Sequence, residues 1–138
     1  MKIQSFYFMD VNNSPGFQFN DKLDIAFLND LFEGDLEYAT VVFGDFLKEL
    51  PNYWVEVEQA YNNNKISELR SAVHKTKTLF GYVGHTKVLE AFQAFENQCN
   101  IAKDSKELTE EFNYLQQMKE TAKKIIDQEY LRLKKYHQ

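Results

Sequence analysis

One polar grouping in this chain has residue types and spacing that could do chemistry. It lies in the stretch from Ser67 to Gly84, SELRSAVHKTKTLFGYVG. On a helical projection at about 100° per residue, Ile66, Leu69, Ala72, Val73, Thr76, Leu79, Phe80 and Val83 share one arc, wide enough to face a core. His74 points about 140° away from the middle of that arc. Beside it fall Ser67, Arg70, Ser71, Lys77, Thr78 and Gly81, all small or basic. Imidazole is a good nucleophile near neutral pH. A ring on the wet side of a helix, with Arg70 and Lys77 near it and the small Thr78 and Gly81 beyond, has an open approach path. Its cations would neutralise an anionic group attached to it. The chemistry this pattern suits is the carrying of a phosphoryl group on histidine.

Other chemistries are poorly provided for. A di-iron bundle needs Glu-x-x-His on paired helices, and no glutamate here precedes a histidine by three. Three histidines and one cysteine without close ligand spacing offer no zinc cluster, so no metal site is expected. Neither GxxxxGK[ST] nor GxGxxG occurs, and the five glycines are scattered. With no recognisable nucleotide site and no cofactor expected, any phosphoryl group must be delivered by a partner. Hydrolysis through a Ser-His-acid arrangement would need a strained nucleophile turn and oxyanion donors, which a helix side does not present.

The 138 residues make one domain with room for a real core. Hydrophobic residues form 43% of the chain, including 12 Phe and 8 Tyr, which argues for a folded globule. A net charge of −5 argues against a general nucleic-acid binder. No apolar run approaches a membrane span, and the N-terminus lacks the pattern of a signal peptide. Cys99 alone forms no internal disulfide, so the chain is expected in a reducing cytoplasm.

The elements that must position His74 are helical. Residues 1–20 read as an N-terminal tail whose aromatic residues drape over a domain spanning 21–138. Asp21 to Phe32 reads as a short helix, ended by Gly34 and followed by Asp35 as the next N-cap. From Leu36 to Tyr61 the apolar spacing of three and four keeps its register across Pro51, which predicts one long helix kinked there. Asn62-Asn63-Asn64 turns the chain back into the helix of His74, capped by Asn64 or Ser67. A third long helix runs from His85 to Ala102, with Val88, Phe92, Phe95 and Cys99 as its seam. Asp104-x-x-Glu107 looks like a capping box before a last helix from about Leu108. The expected fold is all-α: an antiparallel four-helix bundle with the short N-terminal helix over one end.

Ala72-Val73-His74-Lys75-Thr76-Lys77, followed by Phe80-Gly81-Tyr82-Val83-Gly84, resembles the signature of histidine phosphotransfer (HPt) domains. That signature has a phosphorylated histidine, a lysine three later, and glycines seven and ten later. The segment from Asp30 through Phe43, Phe46, Leu47, Leu50-Pro51 and Tyr53 also looks like the family's first long helix, so the resemblance covers roughly residues 20–103. It implies that His74 accepts phosphate at Nε2 and that Lys77 steadies the phosphoryl oxygens. It implies a carrier without its own ATP site, exchanging phosphoryl groups with aspartates on receiver domains of response regulators and hybrid sensor kinases. The Mg²⁺ would sit on those receivers. Arg70, Ser71, Thr78, Gly81 and Tyr82 are the candidate docking residues. The family usually has glycine directly after the lysine; here Thr78 adds a methyl that could narrow the range of receivers, while Leu79 turns to the core edge. His85 is expected to cap or line the rim. The initial Met and compact length suit a free-standing, monomeric carrier. The rival reading is a helical adaptor that binds a receiver or kinase without accepting phosphate, for which substituting His74 changes little. A more remote one is a bundle holding a small ligand among its aromatic residues.

Overall fold

A computed structural model describes residues 16–137. Five α-helices follow one another: α1 Ile25–Phe32, α2 Leu36–Asn62, α3 Ile66–Gly81, α4 Thr86–Cys99 and α5 Thr109–Tyr136, with a 3₁₀ turn at Ser105–Leu108 before the last. No strand occurs among the described residues. Each of the last four helices packs on two neighbours, α2 on α3 and α5, and α4 on α3 and α5. The connections of a few residues between α2, α3 and α4 force antiparallel neighbours. Cross-contacts carry the same direction: Thr40 at the start of α2 meets His137 just past α5, and Tyr61 at its end meets Thr109.

Apolar side chains recurring at three and four residues fill the space between the helices. Phe43, Phe46, Leu50, Trp54 and Val57 of α2 are buried against Val73 and Phe80 of α3, Phe92 of α4 and Ile126 of α5. Aromatic rings form a spine through the interior. Phe46 meets Phe80 edge-on at 4.8 Å, and Tyr61 stacks on Phe112 at 4.0 Å. Burying each such side chain stabilises by roughly 1.5–3 kcal/mol, the main favourable contribution to this fold.

Pro51 lies inside α2, which continues through it as one helix. The apolar seam on both sides of it packs into one core, and that burial outweighs the lost hydrogen bond. Asp35 caps α2 as expected, accepting from the Tyr38 N–H at 3.0 Å.

Several boundaries differ from the sequence expectations. Residues 21–24 are a turn, and α1 begins at Ile25 because Asp24 takes the N-cap, accepting from Phe27 N–H. Glu33, left-handed at φ 47°, caps the end of α1 rather than Gly34. Neither Asn64 nor Ser67 caps α3: Lys65 stands at that position without a side-chain cap. The Asn64 side chain instead accepts from Ser105 N–H at 2.7 Å, tying the α2–α3 turn to the segment before α5. The capping box is one-sided. Asp104 accepts from Glu107 N–H, but Glu107 reaches Lys103 N–H rather than that of Asp104.

The segment entering α1 does pack its aromatic residues on the bundle from residue 17 onward. Phe19 is buried against Phe32 and Phe43, and Phe17 lies against Tyr136. The expectation for residues 1–15 lies outside the described residues. α1 sits over the α3–α4 turn, held by a 2.8 Å bond from Asp24 N–H to the Gly84 carbonyl and by Leu28 packed on Gly84.

Candidate functional site

Placement of His74 follows from the buried face of α3. Leu69, Ala72, Val73, Thr76, Leu79 and Phe80 go into the core, so the opposite side of the helix faces water. The His74 side chain is 60% exposed. Thr78 Oγ1 donates to the His74 carbonyl, one turn back, at 3.2 Å. Leu79 is buried at the core edge, as the helical projection predicts.

A residue that the motif reading did not single out meets the imidazole. Glu96 of α4 lies 3.0 Å from His74 Nδ1 through Oε1. Its Oε2 lies 2.6 Å from Lys77 Nζ, although the side chain is only 8% exposed. That second contact is an ion pair by distance, while Oε2 has no aligned hydrogen-bond donor. The lysine directs a hydrogen bond at Gln93 Oε1 instead, at 2.6 Å, and Gln93 in turn donates to Asn97. With Nδ1 taken by the carboxylate, Nε2 is the ring nitrogen left without a hydrogen-bond partner among the described residues. A carboxylate at Nδ1 accepts the ring proton there and leaves the Nε2 lone pair pointing away.

Glu96 could have been suspected from one signal. It sits a turn below Phe92 and one residue after Phe95, on the edge of the α4 seam, where an unpartnered carboxylate is costly to bury. What it pairs with could not be read, because α3 and α4 run antiparallel and the register between them is a property of the packed pair.

The other candidate residues divide. Lys77 is on the histidine side, as the projection predicts, and is engaged with Glu96 and Gln93 and only 18% exposed. Arg70 and Ser71 are exposed and make no side-chain hydrogen bond or ion pair among the described residues. Thr78, Gly81 and Tyr82 border an apolar groove that continues from the histidine face towards α1 and α4, with Phe27 and Leu89 on its far walls. Phe27 and Tyr82 are exposed there. A Cβ built on Gly81 meets nothing within 4 Å, so no packing inside the bundle requires the glycine. Of the two roles expected for His85, the structure shows the cap: it is buried and its Nδ1 accepts from Val88 N–H at 3.3 Å at the start of α4. Burial is the first cause of a proton affinity below the ordinary histidine value, with Lys87 adding to it. Cys99 is buried on the α4 seam, and burial pushes its thiol up to about 11, so it is an inert small hydrophobe.

The all-α bundle that carries this site agrees with a family comparison. The family model "Hpt domain" matches residues 41–128, from α2 into α5. The chain belongs to the Hpt-domain family. Membership carries a phosphotransfer role in two-component signalling and interaction with receiver domains; Hpt domains are in general phosphocarriers rather than enzymes. No curated protein and no solved structure matches the chain significantly. Among the described residues, no helix of this Hpt-family chain is long and apolar enough to cross a membrane.

Proposed function

We propose that this chain accepts a phosphoryl group on Nε2 of His74 from the phosphorylated aspartate of one receiver domain and passes it to the aspartate of another. The observation that carries the reading is the exposed His74 ring whose Nδ1 is held by the buried Glu96, leaving Nε2 to face an incoming donor. In the forward step the Nε2 lone pair attacks phosphorus and forms the N–P bond. The P–O bond to the aspartate breaks, and its electron pair stays on the aspartate carboxylate. The reverse sequence unloads the histidine. This chain's part is to present the nucleophile in the right tautomer, to place cationic charge near the phosphoryl oxygens and to leave room for the receiver. Lys77 is the phosphate-stabilising residue in this reading. Arg70, Ser71, Thr78, Gly81 and Tyr82 border the docking face, and the receiver brings the Mg²⁺.

Incubation with a phosphorylated receiver domain and Mg²⁺ tests this. Acid-labile, alkali-stable label is expected on the parent chain and absent from His74→Gln. Equal labelling of the two sinks the proposal and leaves the adaptor reading in its place.

A further inference from the structure

Glu96 is a single buried carboxylate placed between two nitrogen groups, and its two oxygens are satisfied unequally. Oε1 has the aligned contact with His74 Nδ1, while Oε2 has only the Lys77 charge at 2.6 Å, the lysine's hydrogen bond going to Gln93. A carboxylate so buried requires a positive partner. Before loading, the lysine is the cation that supplies it. Loading changes the count. Attack through Nε2 with Nδ1 still protonated makes the ring an N-phosphoimidazolium, so the site then holds two cations, ring and ammonium, and two anions, carboxylate and phosphoryl group.

We infer that Glu96 is a positioning residue and that loading His74 exchanges its partners. The carboxylate, paired with Lys77 in the resting state, becomes the counter-ion of the phosphoimidazolium, and Lys77 is released from Glu96 and Gln93 to the phosphoryl oxygens. Neither anion is left unpaired at any stage, and the lysine, occupied while the site is empty, is free when phosphate arrives. Keeping the proton on Nδ1 also keeps the ring a good leaving group, because the P–N bond then breaks to give neutral imidazole. Glu96 thereby serves both loading and unloading. The inference rests on His74 being the site of phosphorylation, and it adds a residue and a rearrangement to that reading.

The exchange can be observed without any receiver. Phosphoramidate, a small phosphoryl donor, is used to load the isotopically labelled full chain, and the His74 ring nitrogens, the Lys77 ammonium and the Glu96 carboxyl carbon are followed by NMR. On appearance of the phosphohistidine ³¹P signal, the Lys77 and Glu96 resonances are expected to move together, with Nδ1 still protonated. Loading that leaves Lys77 and Glu96 unmoved overturns the exchange. Transfer from a phosphorylated receiver is then compared in Glu96→Gln, which keeps an oxygen for Nδ1–H but loses the charge, and in Glu96→Ala, which loses both. Glu96→Gln is expected to hold the parent tautomer while transferring roughly tenfold to a hundredfold more slowly. Glu96→Ala is expected to mix the tautomers as well. Parent-like rates in Glu96→Gln overturn the role of the charge. A chain that shows the exchange with phosphoramidate yet takes nothing from any receiver supports this inference and removes the relay reading.

Discussion

At the scale of single residues, two side chains near His74 behave differently from a pair of bystanders on a wet helix. Lys77 is the charge partner of a buried carboxylate, so Lys77→Ala does more than slow transfer. It leaves Glu96 Oε2 buried without a cation, at a cost of about 1–3 kcal/mol. Urea denaturation is expected to show that loss, and Glu96→Gln in the same background is expected to restore part of it. An unchanged midpoint for Lys77→Ala would mean that the ion pair is not formed in solution. Gly81 offers the opposite test. Its Cβ would meet open space and its backbone needs no left-handed conformation, so Gly81→Ala is expected to raise stability by about 0.5–1 kcal/mol. A bulky replacement such as Gly81→Trp is expected to keep the fold and slow transfer from a receiver at least about tenfold, because it fills the approach beside His74. If Gly81→Trp transfers at the parent rate, the receiver does not cross that groove.

At the scale of elements, the two helices that carry the site begin differently: α3 has no side-chain N-cap, whereas α4 has one. α4 brings Glu96 to the histidine and Gln93 to Lys77, and its first turn is capped by the buried His85. Burial holds the His85 proton affinity below its ordinary value of 6.5, so the unfolded chain binds this proton more readily than the folded one. The stability this group contributes is complete above pH 6.5 and is lost as pH falls below it towards the folded value. Chemical denaturation at pH 8 and pH 5.5 is expected to show a larger acid loss in the parent than in His85→Asn, which retains a capping oxygen but does not titrate. Equal losses would place the acid sensitivity elsewhere. α2 and α5 approach closely at Gly44, where a Cβ would come within 3.0 Å of the Tyr130 ring. A side chain at position 44 requires the end of the Tyr130 ring to shift by a few tenths of an ångström.

At the scale of the whole molecule, the bundle is closed by a contact between its two ends of sequence. Glu129 of α5 is 1% exposed; it accepts from Asn20 N–H at 2.8 Å and pairs with Arg132, whose guanidinium also donates to the Gln18 carbonyl. These bonds lay Phe17 and Phe19 against the core and lead the chain into α1, whose Phe27 walls the groove beside the site. Glu129→Ala is expected to cost about 1.5–3 kcal/mol, the worth of hydrogen bonds to a charged group, with faster hydrogen exchange in residues 17–24. Protection unchanged in that segment would show that the aromatic contacts hold it unaided.

Much of this arrangement is written in short-range pattern. The spacing of Leu36 through Tyr61 was enough to carry one helix across Pro51, and the projection of Ser67 to Gly84 put His74 in water and Leu79 at the core edge. Both are periodicities of a single helix, and a helix's buried stripe is a local property of its residue order. The Asp35 cap was readable for the same reason. The Asn64 side chain was misread because its partner, Ser105, is 41 residues away. The pairing of Lys77 with Glu96 was not legible, because a helical projection shows where a side chain starts, not what a neighbouring helix sets in front of it. The sequence alone determined the helices, their buried faces and the exposure of His74. Only the tertiary structure decided that Glu96 stands between His74 and Lys77, since that meeting depends on the register of two antiparallel helices, which the packing of their shared core sets.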